Sequence, residues 1–185
     1  MVDTRRPLLT IGHGASDGAE LLARLQDADV EVLVDVRRFP GSRRNPEVGR
    51  DALEPVLPQR GIEYVWDERL GGRRRKDPGA EDADGWWRVE QFRAYASHTR
   101  TDEFRVAMTE LLALAARQTV AIMCSENVWW RCHRRLVSDV AVLVHDVPVL
   151  HVMRDGRTSP HQPSEGAVLS GGGLTYPAPP DESQS

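Results

Sequence analysis

Lysine is nearly absent from this sequence: of 24 basic residues, only Lys76 is not an arginine. Positive charge is therefore carried by guanidinium forks, which suit phosphate, sulfate and carboxylate partners. Part of that count reflects the codon bias of a GC-rich genome. Cysteine is scarce too, and two cysteines in 185 residues argue against a structural disulfide framework. No run approaches the ~20 apolar residues that a membrane span needs. The opening residues, Met1 to Pro7, lead straight into a strand-like segment without the pattern of a signal peptide. The expected setting is cytoplasmic, with no membrane attachment. A net charge of −4 excludes a general polycation, and no internal repeat is visible.

What is present fits one domain with a real core, since 40% of residues are hydrophobic and 28% charged. Hydrophobic runs at Leu8–Ile11, Glu31–Val36, Ile62–Trp66, Thr119–Met123 and Val147–Met153 read as strands, the second of them too apolar to have a wet face. Helical patterns lie between them. One starts near Ser16, read as its cap, with Leu21, Leu22 and Leu25 on a face; others span Asp51–Gln59, Trp86–Ser97, Thr101–Gln118 and Leu136–Val144. Strands alternating with helices predict an α/β fold: a mainly parallel sheet of about five strands with helices on both faces, rhodanese-like in general architecture. The domain is expected over residues 1–170. The loop from Asp67 to Gly85 reads as a lid, and residues 171–185 as a disordered Gly/Pro/Ser-rich tail.

In such sheets ligands sit beyond the carboxyl ends of the strands. The residues just past three predicted strands are His13, then Asp35 and Arg37, then Cys124, so a parallel arrangement gathers them at one edge. Cys124 opens the segment Cys124-Ser125-Glu126-Asn127-Val128-Trp129-Trp130-Arg131-Cys132-His133-Arg134, which runs from a strand into a helix. A helix N-terminus attracts anions and lowers a thiol's pKa. Cys124, Glu126, Cys132 and His133 are therefore the candidate catalytic residues, as nucleophiles and proton carriers. His13, Asp35, Arg37, Arg131, Arg134, Trp129 and Trp130 are the candidate substrate-binding residues.

Each has an ordinary alternative. Cys124 can be a small hydrophobe ending a strand, His13 a turn histidine, Asp35 an arginine partner, and any tryptophan a core residue. Two other active loops are close in kind, but the spacing from Cys124 to Arg131 is one residue longer than a cysteine-phosphatase cradle, and Trp129-Trp130 is bulky for one. His13, Cys124, Cys132 and His133 could supply a zinc or iron set; without a tight Cys-x2-Cys knuckle, a metal is not favoured. The expected partner is an anionic small molecule or a nucleic acid, because exposed aromatics among arginines can stack on bases. The alternatives are a non-catalytic nucleic-acid-binding module and a metal-site protein.

The order of Thr10-Ile11-Gly12-His13-Gly14, Leu33-Val34-Asp35-Val36-Arg37 with Pro40 and Ser42, Tyr64 with Leu70-Gly71-Gly72, and Cys124-x-Glu126 before Cys132-His133-Arg134 resembles the bacterial family called domain of unknown function 488. His151, Asp155-Gly156 and His161 fit as well. The likeness runs from about Leu8 to Ala167. It implies an α/β fold and marks His13, Asp35, Arg37, Glu126, Cys132, His133 and Arg134 as motif positions. This chain departs at Gly14, where the family pattern usually has serine.

Overall fold

Five short stretches in which every second residue faces the same way become five parallel strands. The structure, a computed structural model, describes residues 5–76 and 82–180. The strands are β1 (Leu8–Gly12), β2 (Val32–Asp35), β3 (Glu63–Trp66), β4 (Val120–Cys124) and β5 (Val149–Val152). A sixth, β6 (Thr158–Pro160), pairs antiparallel with β5, and the sheet order is β3-β2-β4-β1-β5-β6. The chain is thus α/β with a mostly parallel sheet, as its sequence pattern predicts.

Period-two alternation divides the strand residues between two cores. Val120, Ile122 and Cys124 of β4 join one core; Ala121 and Met123 join the other. The second core is closed by α1 (Gly18–Asp27) through Leu21 and Leu25, and by α2 (Arg50–Val56) through Leu53. The first is closed by α3 (Glu90–His98), α4 (Asp102–Ala115) and α5 (Arg134–Leu143), through Tyr95, Phe104, Met108, Leu136 and Val137. Helices therefore cover both faces, and no helix among the described residues is long and apolar enough to cross a membrane.

This arrangement positions the site. The connection leaving β1 runs through α1 on one face to β2, while that leaving β4 runs through α5 on the other face to β5, and β1 and β4 are direct neighbours. Loops that diverge from adjacent strand ends leave a crevice between them. Gly12 and Cys124 are register partners at that crevice. Gly12 cannot be larger, because a Cβ there would lie 2.0 Å from the Glu126 carbonyl oxygen.

Several boundaries differ from the sequence reading, each for a local reason. Asp17, not Ser16, caps α1: its carboxylate accepts the Glu20 N–H at 2.8 Å while Glu20 returns to the Asp17 N–H at 3.2 Å. Ser16 is buried instead. The helix expected from Trp86 begins at Glu90, since Trp86 and Trp87 pack against each other and Tyr176. The Asp51–Gln59 helix becomes α2 and a 3-10 turn at Pro58–Arg60, ended by Gly61 at φ 76°. The expected lid is anchored at its start, where Leu70 is fully buried; residues 77–81 of it lie outside the described residues. The largest correction concerns the expected disordered tail. Strands β7 (Val168–Ser170) and β8 (Gly173–Thr175) form a hairpin, and Leu174 and Tyr176 are buried. Three apolar residues in the eight of the hairpin, split by serine and three glycines, were too weak a periodic signal to reveal this; residues 181–185 lie outside the described residues.

Candidate functional site

Alternation in β4 turns the Cys124 side chain toward α5, and a seven-residue loop returns the chain to Cys132 just before that helix. The two sulfurs stand 2.7 Å apart as free cysteines. Either sulfur can act as the donor in that contact. Cys132 Sγ accepts the Arg134 backbone N–H at 3.5 Å and faces His133 Nδ1 at 3.5 Å as well as the Cys124 sulfur. The Arg134 N–H belongs to the first turn of α5, so the sulfur also meets the positive end of the helix. Cys124 Sγ accepts the Arg134 Nε–H at 3.0 Å. The negative charge therefore belongs on Cys132, with Cys124 as the thiol that donates to it. Burial opposes ionisation of Cys132, but the Cys124 hydrogen bond and the Arg134 charge outweigh it and lower its pKa to about 6. Burial and the neighbouring sulfur push Cys124 the other way.

Arg134 is the member whose place differs most from the sequence reading. It is only 1% exposed and stands behind the sulfurs rather than in the cleft. Its fork is fully used: Nε on Cys124, Nη1 on Thr10 Oγ1 at 3.1 Å, Nη2 on the Glu126 carbonyl at 2.6 Å. Burial acts to lower its pKa, yet the Cys124 and Cys132 sulfurs hold it above the ordinary value.

In front of the sulfurs lies a cleft of about 550 Å³ lined by Cys124, Cys132, His133, Glu126, Trp130 and Arg131, with Arg37, Arg38 and Arg73 on the opposite side. Trp130 is 47% exposed. Arg73 and Arg131 are exposed and, among the described residues, neither has a carboxylate partner. Phe39, 63% exposed, has the guanidinium carbons of Arg38 and Arg73 each 5.8 Å from its ring centre. A second groove of about 1080 Å³ shares Arg38, Phe39 and Arg73 with the cleft and adds Arg74, Arg75 and His98. His133 packs its ring on Gly72, where a Cβ would lie 2.9 Å from Nδ1. Burial lowers the His133 pKa and keeps the ring neutral.

The other sequence candidates are placed apart from the sulfurs. Asp35 is fully buried and accepts Arg37 Nε at 2.8 Å, Arg37 Nη2 at 2.5 Å and the Tyr64 hydroxyl at 2.6 Å. It holds Arg37 in place and does not line the cleft. His13 lines a neighbouring pocket with Ser42, Arg44 and Asn45. Its Nδ1 faces the Gly14 carbonyl at 2.9 Å and its Nε2 faces Arg37 Nη1 at 3.3 Å. Because arginine only donates, Nε2 accepts and the proton sits on Nδ1. Burial and then Arg37 lower the His13 pKa, consistent with this neutral form. Trp129 leaves the cleft altogether and stacks on His151 at 4.1 Å, with planes 9° apart. Among the described residues, no group of three or more His, Cys, Asp or Glu side chains is arranged to hold a metal ion.

The sequence reading missed Thr10, Asp139 and Tyr176. Asp139 is fully buried and accepts His161 Nε2 at 2.8 Å and the Tyr176 hydroxyl at 2.8 Å. One signal was available: a lone carboxylate in the apolar helix Leu136-Val137-Ser138-Asp139-Val140 must have buried partners.

A pH dependence of stability follows. Burial lowers the pKa values of His13, His98, His133 and His151, the last to about 3. Below the ordinary histidine value of ~6.5, the unfolded chain binds protons that the folded chain refuses, so stability falls with pH. Cys132 adds the same sign at higher pH: its contribution is complete above its unfolded value and is lost as pH falls toward about 6. Urea midpoints measured from pH 8 down to pH 4 are expected to decline throughout. A flat profile over that range would contradict neutral buried histidines.

A family model described as Domain of unknown function DUF488 matches residues 18–141 of the chain. That span holds Asp35, Arg37 and the whole segment from Cys124 to Arg134, and stops short of His151 and His161. No curated protein and no solved structure matches the chain. With two-thirds of its length matched, including the cysteine pair and its arginine, the chain belongs to the DUF488 family.

Proposed function

We propose that this protein is a cysteine-dependent enzyme, a transferase or hydrolase, acting on an anionic, phosphate-bearing substrate of the nucleotide or nucleic-acid class. The observation that supports it is the sulfur pair at the cleft wall, with Cys132 accepting the Arg134 backbone N–H and facing the Cys124 sulfur and His133 Nδ1. A thiolate is the reactive form of cysteine. Arg73, Arg131 and Arg38 supply guanidinium groups around it for phosphate oxygens. Phe39 and Trp130 offer exposed ring faces to a base. In the reaction the Cys132 sulfur bonds to the electrophilic atom while the bond to the leaving group breaks, and the leaving group takes that electron pair. Glu126 and His133, both on the cleft, are the proton carriers within reach of such a substrate. A reducing cytoplasm, the setting we propose, keeps both thiols free.

The test is the pH profile of iodoacetamide labelling, read residue by residue by mass spectrometry. Cys132 is expected to label with a midpoint near 6, and inorganic phosphate or a mononucleotide is expected to slow it. Labelling of both cysteines only around the ordinary ~8.5 would end the proposal. The second groove with Arg74 and Arg75 favours one alternative, a non-catalytic nucleic-acid-binding module. Its signature is oligonucleotide binding that weakens with salt and is unchanged in Cys132→Ser.

A further inference from the structure

We infer that Thr10, His151, His161 and Asp139 form a one-way hydrogen-bond relay that positions the Arg134 guanidinium against the cysteine pair. The inference deepens the proposed function and rests on Cys132 being the reactive thiolate.

With one proton on each imidazole, the acceptor-only carboxylate of Asp139 sets the sense of every link. Arg134 can only donate, so Thr10 Oγ1 accepts from Nη1 at 3.1 Å. The single Thr10 hydroxyl proton then goes to His151 Nδ1 at 2.7 Å. His151 must carry its own proton on Nε2, which donates to His161 Nδ1 at 3.0 Å. His161 in turn carries its proton on Nε2 and donates to Asp139 Oδ1 at 2.8 Å. The carboxylate is completed by the Ser164 N–H at 3.0 Å and the Tyr176 hydroxyl at 2.8 Å. A chain in which every donor points the same way polarises each successive link. Asp139 thus makes Thr10 Oγ1 a better acceptor for the guanidinium.

The relay is sealed from solvent. Thr10, His151 and Asp139 are at most 1% exposed, and the Trp129 ring covers one face of His151. Burial is the first cause that lowers the His151 pKa. A simple tie between the C-terminal segment and the core would not require this. Buried carboxylates are costly, and apolar packing serves a tie at least as well. The relay instead ends on the one side chain that touches the Cys124 sulfur and Thr10 together. Around that sulfur pair stand His133 at the N-cap of α5, Tyr95 on α3 and Arg74 between β3 and α3, with Glu126, Arg37, Arg38 and Arg131 on the cleft. None of these belongs to the relay.

The experiment measures the Cys132 iodoacetamide midpoint in the full chain and in four variants. Thr10→Val keeps the shape and removes the hydroxyl; the midpoint is expected to rise by about one pH unit, the scale on which a nearby opposite charge acts. Thr10→Ser restores the hydroxyl and is expected to return the midpoint to that of the wild-type chain. His161→Gln, which interrupts the chain away from the sulfurs, is expected to raise it. Asp139→Asn is decisive on sign. Acting only through space, loss of a negative charge would favour the thiolate and lower the midpoint; acting through the relay, it loosens Arg134 and raises the midpoint. Variants that melt earlier but label with the wild-type midpoint would reduce the relay to a structural tie and overturn the inference, as would a fall in Asp139→Asn. If the wild-type midpoint is itself ordinary, the proposed thiolate fails first, before any variant is compared.

Discussion

Replacing Arg134 by lysine is expected to be almost as damaging as replacing it by methionine. Three separate acceptors, Cys124 Sγ, Thr10 Oγ1 and the Glu126 carbonyl, are reached by Nε, Nη1 and Nη2 of one planar fork. An ammonium is a compact charge and cannot span the same three points. Lysine keeps the positive charge but leaves at least one buried acceptor without its donor, a cost of about 1–3 kcal/mol for each such group. Both variants are expected to raise the Cys132 labelling midpoint from near 6 toward the ordinary ~8.5 and to lower the melting temperature. A lysine variant that retains a midpoint near 6 would show that charge alone, not the fork, sustains the thiolate.

The second large effect lies on the other face of the sheet. Asp35→Ala removes the acceptor of Arg37 and of the Tyr64 hydroxyl at once, where Asp35 is fully buried and Arg37 only 5% exposed. Breaking a buried ion pair by deleting one partner strands the other charge and costs about 3–5 kcal/mol. Urea unfolding should show a lower midpoint with an unchanged slope, the mark of lost stability rather than altered compactness. A loss below about 1 kcal/mol, the range of a solvent-exposed ion pair, would mean that Arg37 swings out to water once freed. In that case the cleft wall it forms is pliable.

These two residues show what the sequence could disclose. Asp35 and Cys124 each end an apolar run, and parallel pairing brought both runs to one sheet edge, so their common location was legible from strand periodicity alone. Their partners were less so. Arg134 was legible as a site residue but not as an interior one; the approach of Thr10, 124 positions away, and of the nearby Glu126 carbonyl reveals that. Period two also decides which face of the sheet each strand-end residue serves. Asp35 follows Leu33 into one core, whereas Cys124 follows Ile122 into the other. One expected pocket wall thus became a buried support on the opposite face. Asp17 carried the capping signal in plain view, since Asp-x-x-Glu is a capping box, and the neighbouring Ser16 obscured it. The hairpin near the C-terminus was not legible because glycine and serine dominate it and its two anchors, Leu174 and Tyr176, act only through contacts made elsewhere.

The relay joins parts of the chain that are made at very different times. Thr10 and His151 are 141 positions apart, Thr10 and Arg134 are 124 apart. Contacts that close such long loops form late in folding, because the entropy of closure is spent before they contribute anything. During synthesis the two cysteines emerge before His151, His161 and Tyr176 exist, and the arginine beside them has no complete seat. If Cys132 is the reactive thiolate proposed above, it gains its full reactivity only when this later-made segment docks, and an unfinished chain carries a less activated thiol. Refolding followed by thiol labelling would make that last docking step visible as a late rise in the Cys132 rate, after the helical signal has already returned.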